Sequence, residues 1–82
     1  MPSIRVQLFA GARQLARADE LLVDAETPLT VARLRGLLEQ ASPPLGPLLA
    51  ASRLAVNARY ADESDLVAAD DEVALIPPVS GG

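Results

Sequence analysis

The strongest constraint on the fold of this 82-residue sequence is that only one stretch has the apolar spacing of a long amphipathic helix. Apolar residues recur every three or four positions from Val31 to Ala41, and Thr30 before them is a suitable N-cap. Residues 42–44 are Ser-Pro-Pro, which cannot continue a helix. The exposed side of this helix is predicted to carry an i,i+4 ion pair between Arg35 and Glu39.

Period-two alternation of apolar and polar residues predicts β-strands on both sides of the helix. The predicted strands cover residues 3–8, 21–23, 53–57, 66–67 and 72–76. Residues 11–16 can form a loop or a short helical turn, and Asp70-Asp71 marks a turn before the last strand. The proline-rich segment 43–49 is predicted to be a compact connection whose leucines cover the core.

This order of elements predicts an α+β fold in one domain spanning residues 1–82. One helix covers one face of one sheet, whereas a ferredoxin-like fold needs a second full-length helix. Packing the helix between a leading hairpin and the trailing strands places the first and last strands side by side. The expected architecture is a ubiquitin-like β-grasp, a mixed sheet with one main helix, followed by a flexible C-terminal Gly-Gly tail over residues 76–82.

The composition excludes several classes of function. Without Cys or His the chain has no thiol nucleophile, no imidazole base and none of the usual zinc, iron or haem ligand sets, so no metal site is predicted. Seven basic against eleven acidic residues give a net charge of −4, which disfavours nucleic acid and anionic membranes as partners. No apolar run approaches the ~18 residues of a membrane span, and the start does not resemble a secretory signal. A cytoplasmic protein is expected.

The C-terminal residues are where chemistry is expected. The predicted tail consists of Pro77, Pro78, Val79, Ser80, Gly81 and Gly82. Two prolines favour a stiff extended segment, and two residues without Cβ atoms can pass through a narrow channel. The α-carboxylate of Gly82 is then the group that an external enzyme could activate with ATP. The alternative is a strand end followed by an ordinary terminus without function.

Tyr60 and Ile76 are the apolar residues on or near the sheet face that the helix does not cover. If both are exposed beside the tail, they form a docking patch for a partner. The alternative is that both serve the core.

Short motifs along nearly the whole chain point to a known family. They are Leu8-Phe9-Ala10, Arg13-Gln14-Leu15, Thr30-Val31 with Leu34, Val56-Asn57, Asp71-Glu72-Val73-Ala74 and the ending Pro-Pro-Val-Ser-Gly-Gly. In these residues the chain resembles the small subunit of molybdopterin synthase, the MoaD type of ubiquitin-like sulfur carrier. The ending is the specific part, because Gly-Gly alone also occurs in the thiamine-pathway carrier and in ubiquitin-like modifiers.

The resemblance implies a terminal carboxylate that other proteins use. Gly82 would be adenylated with ATP by a MoeB-type activating enzyme and converted to a thiocarboxylate with sulfur from a donor protein, and no cofactor would be bound permanently. The segment from Pro77 to Gly81 would enter a MoaE-type large subunit, which contributes the catalytic side chains, and Gly82 would donate sulfur to cyclic pyranopterin monophosphate. The implied assembly is a heterotetramer of two small and two large subunits, with Tyr60 and Ile76 as partner contacts.

The sequence departs from its relatives in two places. Ile76 stands where bulkier or aromatic residues are common, which predicts a shallower contact. Asp70 stands where glycine is common in an Asp-Gly-Asp turn, which predicts an aspartate in the left-handed backbone region. The acidic residues between Asp62 and Glu72 either steer docking onto basic partners or simply form a solvated loop.

Two further functions stay open beside the carrier of molybdenum cofactor biosynthesis. One is a ubiquitin-like sulfur carrier or protein modifier of another pathway, such as thiamine synthesis or conjugation. The other is an interaction module whose tail has no role.

Overall fold

The computed structural model describes residues 3–78. The strands are β1 (Ser3–Leu8), β2 (Glu20–Asp24), β3 (Leu29–Thr30), β4 (Arg53–Val56), β5 (Arg59–Tyr60), β6 (Leu66–Val67) and β7 (Val73–Ile76). The helices are α1 (Ala10–Ala16), α2 (Val31–Ala41) and α3 (Gly46–Leu49), and a 3₁₀ turn at Pro43–Leu45 precedes α3. Among these helices none has the length and apolar character that crossing a membrane needs, within the described residues.

Five strands form one mixed sheet in the order β2-β1-β7-β4-β5. β1 and β7 are parallel, with Val6 opposite Val73 and Leu8 opposite Leu75, and the other neighbours are antiparallel. β3 and β6 form a separate two-stranded sheet. The first and last strands therefore lie side by side in the centre, which confirms the predicted ubiquitin-like β-grasp.

The core lies between the sheet and α2. The fully buried side chains include Ile4, Val6, Leu34, Leu38, Leu45, Leu54 and Leu75. Burying a side chain of this size contributes about 1.5–3 kcal/mol relative to leaving it in water. Because Leu45 and Leu49 of the proline-rich connection are also buried, that connection covers the core as predicted.

The start of α2 is capped by a side chain and by a loop. The hydroxyl of Thr30 accepts a hydrogen bond from the Arg33 N–H at 3.1 Å, which confirms the predicted N-cap. The N–H groups of Val31 and Ala32 donate to the carbonyls of Asp65 and Glu63. The segment between β5 and β6 is thereby fixed against the helix.

The predicted ion pair between Arg35 and Glu39 is wrong. The Arg35 guanidinium donates to both carboxylate oxygens of Glu63, at 3.1 and 2.7 Å, and also to the carbonyls of Leu49 and Ser52. A half-buried guanidinium can satisfy these carbonyls and a carboxylate at once, which an exposed pair within one helix cannot do. Glu39 instead lies over Gly46, where an added Cβ would be 3.2 Å from its Oε2.

Two turns were predicted incompletely. Residues 10–16 form a full α-helix, for which the sequence allowed a loop or a short turn. Asp70 is not in the left-handed region; the non-glycine residues with positive φ among residues 3–78 are Ala10, Arg17, Asn57 and Ala58. The turn before β7 is instead held by the Asp71 carboxylate, which accepts from the Ala68 N–H at 2.8 Å.

Candidate functional site at the root of the tail

The C-terminal tail leaves the sheet from its centre. β7 is held on both edges, by β1 and by β4, and it ends at Ile76. Pro77 is half-buried, Pro78 is exposed, and neither continues the strand, because proline has no N–H for a ladder. The remaining predicted tail residues, Val79, Ser80, Gly81 and Gly82, lie outside the described residues.

The last strand separates two kinds of side chain. Val73 and Leu75 are buried beneath α2, whereas Ala74 and Ile76 are half-buried and face away from the helix. This alternation is the predicted one. Ile76 therefore belongs to the open face of the sheet, at the point where the tail begins.

An apolar surface surrounds the tail root, and we call it the tail-root patch: Phe9, Ala55, Tyr60, Ala74 and Ile76. Ala55 lies opposite Ala74 on one side and opposite Tyr60 on the other. The two alanines form a shallow floor because they carry only a methyl group. Tyr60 is 60% exposed and Phe9 is 46% exposed, so the patch is open to a partner.

Phe9 is the member that the site prediction missed. The preceding residue, Leu8, pairs with Leu75, and the backbone of Phe9 is still extended, with φ −132° and ψ 155°. Continuing the parallel register by one residue places Phe9 beside Ile76 on the open face. The signal was present in the sequence, since Phe9 follows Gln7 at the spacing of the solvent-facing residues of β1.

A cation stacks on the exposed aromatic ring of the patch. Arg53 lies opposite Ile76 in the β4–β7 ladder, and its Cζ is 4.2 Å from the centroid of the Tyr60 ring. Such a contact at an exposed site contributes about 0.5–1 kcal/mol. The three ion pairs found within residues 3–78 do not include Arg53. Its guanidinium therefore adds a positive charge to the open face beside the patch.

Three of the six acidic residues from Asp62 to Glu72, namely Glu63, Asp65 and Asp71, are used for local structure. A hydrogen bond from the Arg35 side chain lowers the pKa of Glu63, and the Ala68 N–H followed by the Asn57 side chain lowers the pKa of Asp71. Asp65 accepts from the Asp62 N–H at 2.8 Å. These carboxylates hold loops in place, which favours the solvated-loop interpretation over steering.

No group of three or more His, Cys, Asp or Glu residues among residues 3–78 is arranged to hold a metal ion. A surface hollow of about 500 Å³ lies beside α1, lined by Arg13, Gln14, Arg17 and Asp19 among others, and it does not include the tail root. The tail-root patch is therefore the candidate site that the described residues offer.

A β-grasp domain with one main helix and with its first and last strands paired in the centre of the sheet belongs, by fold, to the ubiquitin-like proteins. The chain belongs to the ThiS family, whose profile matches residues 6–82.

Proteins similar to this chain include a molybdopterin synthase sulfur carrier subunit, a small archaeal modifier protein and a subunit of a molybdopterin-converting factor. The molybdopterin synthase sulfur carrier subunit of Arabidopsis thaliana is 35% identical over 79 residues, covering 96% of this chain and 82% of that protein. The small archaeal modifier protein 1 of Haloferax volcanii is 28% identical with a TM-score of 0.85, covering 96% of this chain and all of the other. In a complex of subunits 1 and 2 of the molybdopterin-converting factor from Helicobacter pylori, the matching chain is 22% identical with a TM-score of 0.68, covering 98% of this chain and 99% of that one, and shares the fold.

Proposed function

We propose that this protein is the sulfur carrier of molybdenum cofactor biosynthesis and that its working group is the α-carboxylate of Gly82. The observation that carries the proposal is the position of the tail: it leaves the central strand beside an open apolar patch. The relatives named as molybdopterin synthase sulfur carrier subunits support the pathway.

The proposed reaction has two steps on the terminal carbonyl. A carboxylate oxygen of Gly82 attacks the α-phosphorus of ATP in a MoeB-type activating enzyme, which forms an acyl-adenylate and releases pyrophosphate. Sulfur at the oxidation level of sulfide, supplied by a donor protein, then attacks the acyl carbon and AMP leaves. The product is a thiocarboxylate, whose sulfur is a better nucleophile than the oxygen that it replaces.

The next step is transfer of that sulfur to cyclic pyranopterin monophosphate inside a MoaE-type large subunit. The sulfur bonds to a carbon of this substrate in place of an oxygen, which leaves, and water then cleaves the acyl–sulfur bond and regenerates the Gly82 carboxylate. Gly81 and Gly82 have no Cβ atoms, so the tail fits a narrow channel, while Pro77 and Pro78 keep its beginning extended. The tail-root patch, with Tyr60 and Ile76, contacts the partner around the entrance. Two small and two large subunits form the proposed assembly, ATP and sulfur are used without a permanently bound cofactor, and the cytoplasm is the proposed location.

Intact-mass measurement tests the proposal. Protein purified from a host that makes the cofactor should contain a fraction heavier by the replacement of one oxygen with sulfur, and fragmentation should place it on Gly82. The matched control lacks Gly82 and should remain unmodified. Cofactor synthesis that continues at the normal rate with the truncated chain would overturn the proposal.

A protein modifier is the second candidate, because the Haloferax volcanii relative is named a modifier protein. In that case the activated Gly82 carbonyl is attacked by a lysine amine of a target, which forms an isopeptide bond and releases the activating group. Adducts on target lysines would support this function. A third possibility, a carrier for thiamine synthesis, predicts that the chain restores growth to a strain lacking its thiamine-pathway carrier.

A further inference from the structure

The sheet has a free edge on the side opposite the tail-root patch. β2 is the outermost strand there and pairs only with β1. The Leu8 N–H donates to the Asp19 carbonyl at 2.8 Å, so the backbone groups of Asp19 face β1. Every second residue of an antiparallel strand faces the same neighbour, and Leu21 and Val23 therefore also direct their N–H and C=O groups toward β1.

The alternate residues of β2, Glu20, Leu22 and Asp24, consequently direct their N–H and C=O groups away from the sheet. No hydrogen bond found within residues 3–78 joins these outward groups to another element. Unpaired groups in a row along an edge strand are a template for an added strand.

The side chains along this edge have a regular pattern. Leu22 is 59% exposed on the open face and is flanked, two residues away on each side, by the carboxylates of Glu20 and Asp24. Arg5 lies on the inner side of this row, with its Nε 3.4 Å from Glu20, and Ser3 donates to Asp24. Glu20 and Asp24 both remain exposed to solvent.

On the other face of β2, the strand packs against α2, and Leu21 and Leu37 are only partly buried at the margin of the core. Beyond Asp24 lies an open hollow of about 460 Å³, which is lined by apolar residues and by the charged side chains of Asp24, Glu26 and Arg33. An added strand would place alternate side chains over Leu22 and, on the other face, beside Leu21.

We propose that the free edge of β2 binds an extended segment of a partner protein in which an apolar residue has a basic residue two positions before it and two positions after it. In antiparallel pairing, the apolar residue lies opposite Leu22 and the two basic residues lie opposite Glu20 and Asp24. The intervening residues are apolar and lie on the other face of the added strand, beside the partly buried Leu21 at the margin of the core.

The charges of Glu20 and Asp24 favour a basic partner segment over a second copy of this chain at the free edge of β2. Antiparallel pairing of β2 with itself about Leu22 sets Glu20 against Asp24 at both ends, and like charges directly opposite each other are destabilising. A basic segment replaces both repulsions with attractions. Because β2 and β5 are opposite edges of the sheet, the bound segment would leave Tyr60 and the tail root free.

The test is an NMR titration of the full chain with two capped pentapeptides, Arg-Val-Leu-Val-Arg and its charge-reversed control Glu-Val-Leu-Val-Glu. The basic peptide should shift the amide signals of Glu20, Leu22 and Asp24 and should bind about tenfold more tightly than the acidic one at low salt, which is about 1.4 kcal/mol. The double variant Glu20→Arg, Asp24→Arg should prefer the acidic peptide.

A backbone variant separates strand addition from simple charge attraction. Leu22→Pro removes an outward N–H without removing a bond to β1, so it should abolish binding of the basic peptide, whereas Leu22→Val should retain it. If Leu22→Pro does not fold, the basic peptide with an N-methylated leucine serves instead and should fail to bind, because that N–H is the one that faces Leu22.

Three results would overturn the proposal. The first is that neither peptide shifts the β2 amides. The second is that both peptides bind equally, or that the shifts map to the tail-root patch. The third is self-association of the chain through β2 in the absence of peptide. None of these measurements uses the terminal carboxylate, so the outcome is independent of the proposed sulfur chemistry.

Discussion

The two faces of β7 differ in burial, although they are formed by alternate residues of one four-residue strand. Toward α2, Val73 and Leu75 are buried in the core, and toward solvent, Ala74 and Ile76 form part of the tail-root patch. Neighbouring residues on one strand thus serve different purposes, since side chains alternate across a sheet. Stability depends on one face of this strand, and we expect partner recognition to depend on the other.

The largest expected loss of stability comes from a substitution on the face of β7 that is buried toward α2. Leu75→Ala removes a fully buried side chain from the sheet centre and should lower the free energy of unfolding by about 2–5 kcal/mol, because a cavity remains. Urea denaturation measures this change. A loss below about 1 kcal/mol would mean that the core near the tail root is not closely packed.

The second-largest loss of stability is expected when the contacts of the Arg35 guanidinium are removed. Arg35→Met keeps an apolar stem but leaves the carbonyls of Leu49 and Ser52 without this donor and Glu63 without its cation. We expect a loss of about 1–3 kcal/mol in unfolding free energy. Arg35→Lys should recover only part of it, because an ammonium group lacks the planar fork. Full recovery would show that charge alone matters.

The hairpin that carries Tyr60 should become more stable with a glycine. Asn57 and Ala58 both have positive φ, 52° and 68°, as in the two-residue turns that favour Asn-Gly. Ala58→Gly should raise the unfolding free energy by about 1 kcal/mol, since the left-handed region is strained for alanine. Thermal unfolding measures this change. The control is Ala55→Gly, which lies in a regular strand and should be less stable than the unchanged chain.

Ile76→Asp tests the open face directly. Because Ile76 is only half-buried, the variant should lose about 1 kcal/mol of stability or less, but it should bind a MoaE-type large subunit at least about tenfold more weakly. Calorimetry with the purified partner measures the affinity, and urea denaturation of the monomer measures the free energy of unfolding. An unfolded monomer would place Ile76 in the core and remove it from the patch.

Gly81→Ala should have the smallest effect on stability and a large one on function. At a site beyond the folded strands, we expect a change within about 0.5 kcal/mol. The added methyl group should nevertheless slow activation and sulfur transfer by obstructing the channel. Normal thiocarboxylate formation, measured by intact mass, would contradict the steric argument for the terminal glycines.

Much of the fold could be predicted because its signals are local. The N-cap at Thr30, the apolar stripe of α2 and the alternation in β1 and β7 are all properties of neighbouring residues. The Pro-Pro-Val-Ser-Gly-Gly ending, also local, indicated where chemistry is to be sought. Tyr60 and Ile76 were named correctly as residues of the open face.

The errors concern contacts between distant residues. Arg35 had a suitable partner four residues away, but the fold brings Glu63 and two buried carbonyls closer to its guanidinium. Phe9 was not assigned to the site because its neighbour Ile76 is 67 positions later in the chain. Arg53 likewise gained a role only from the ladder that places it near Tyr60.

The sequence by itself determined which residues can be helix, strand and tail, because propensity, periodicity and capping act within a few residues. The tertiary structure decided which of those residues meet: the parallel pairing of β1 with β7, the tail-root patch that results from it, and the free edge of β2. Such pairings depend on the packing of the whole sheet against α2, and no short segment contains that information.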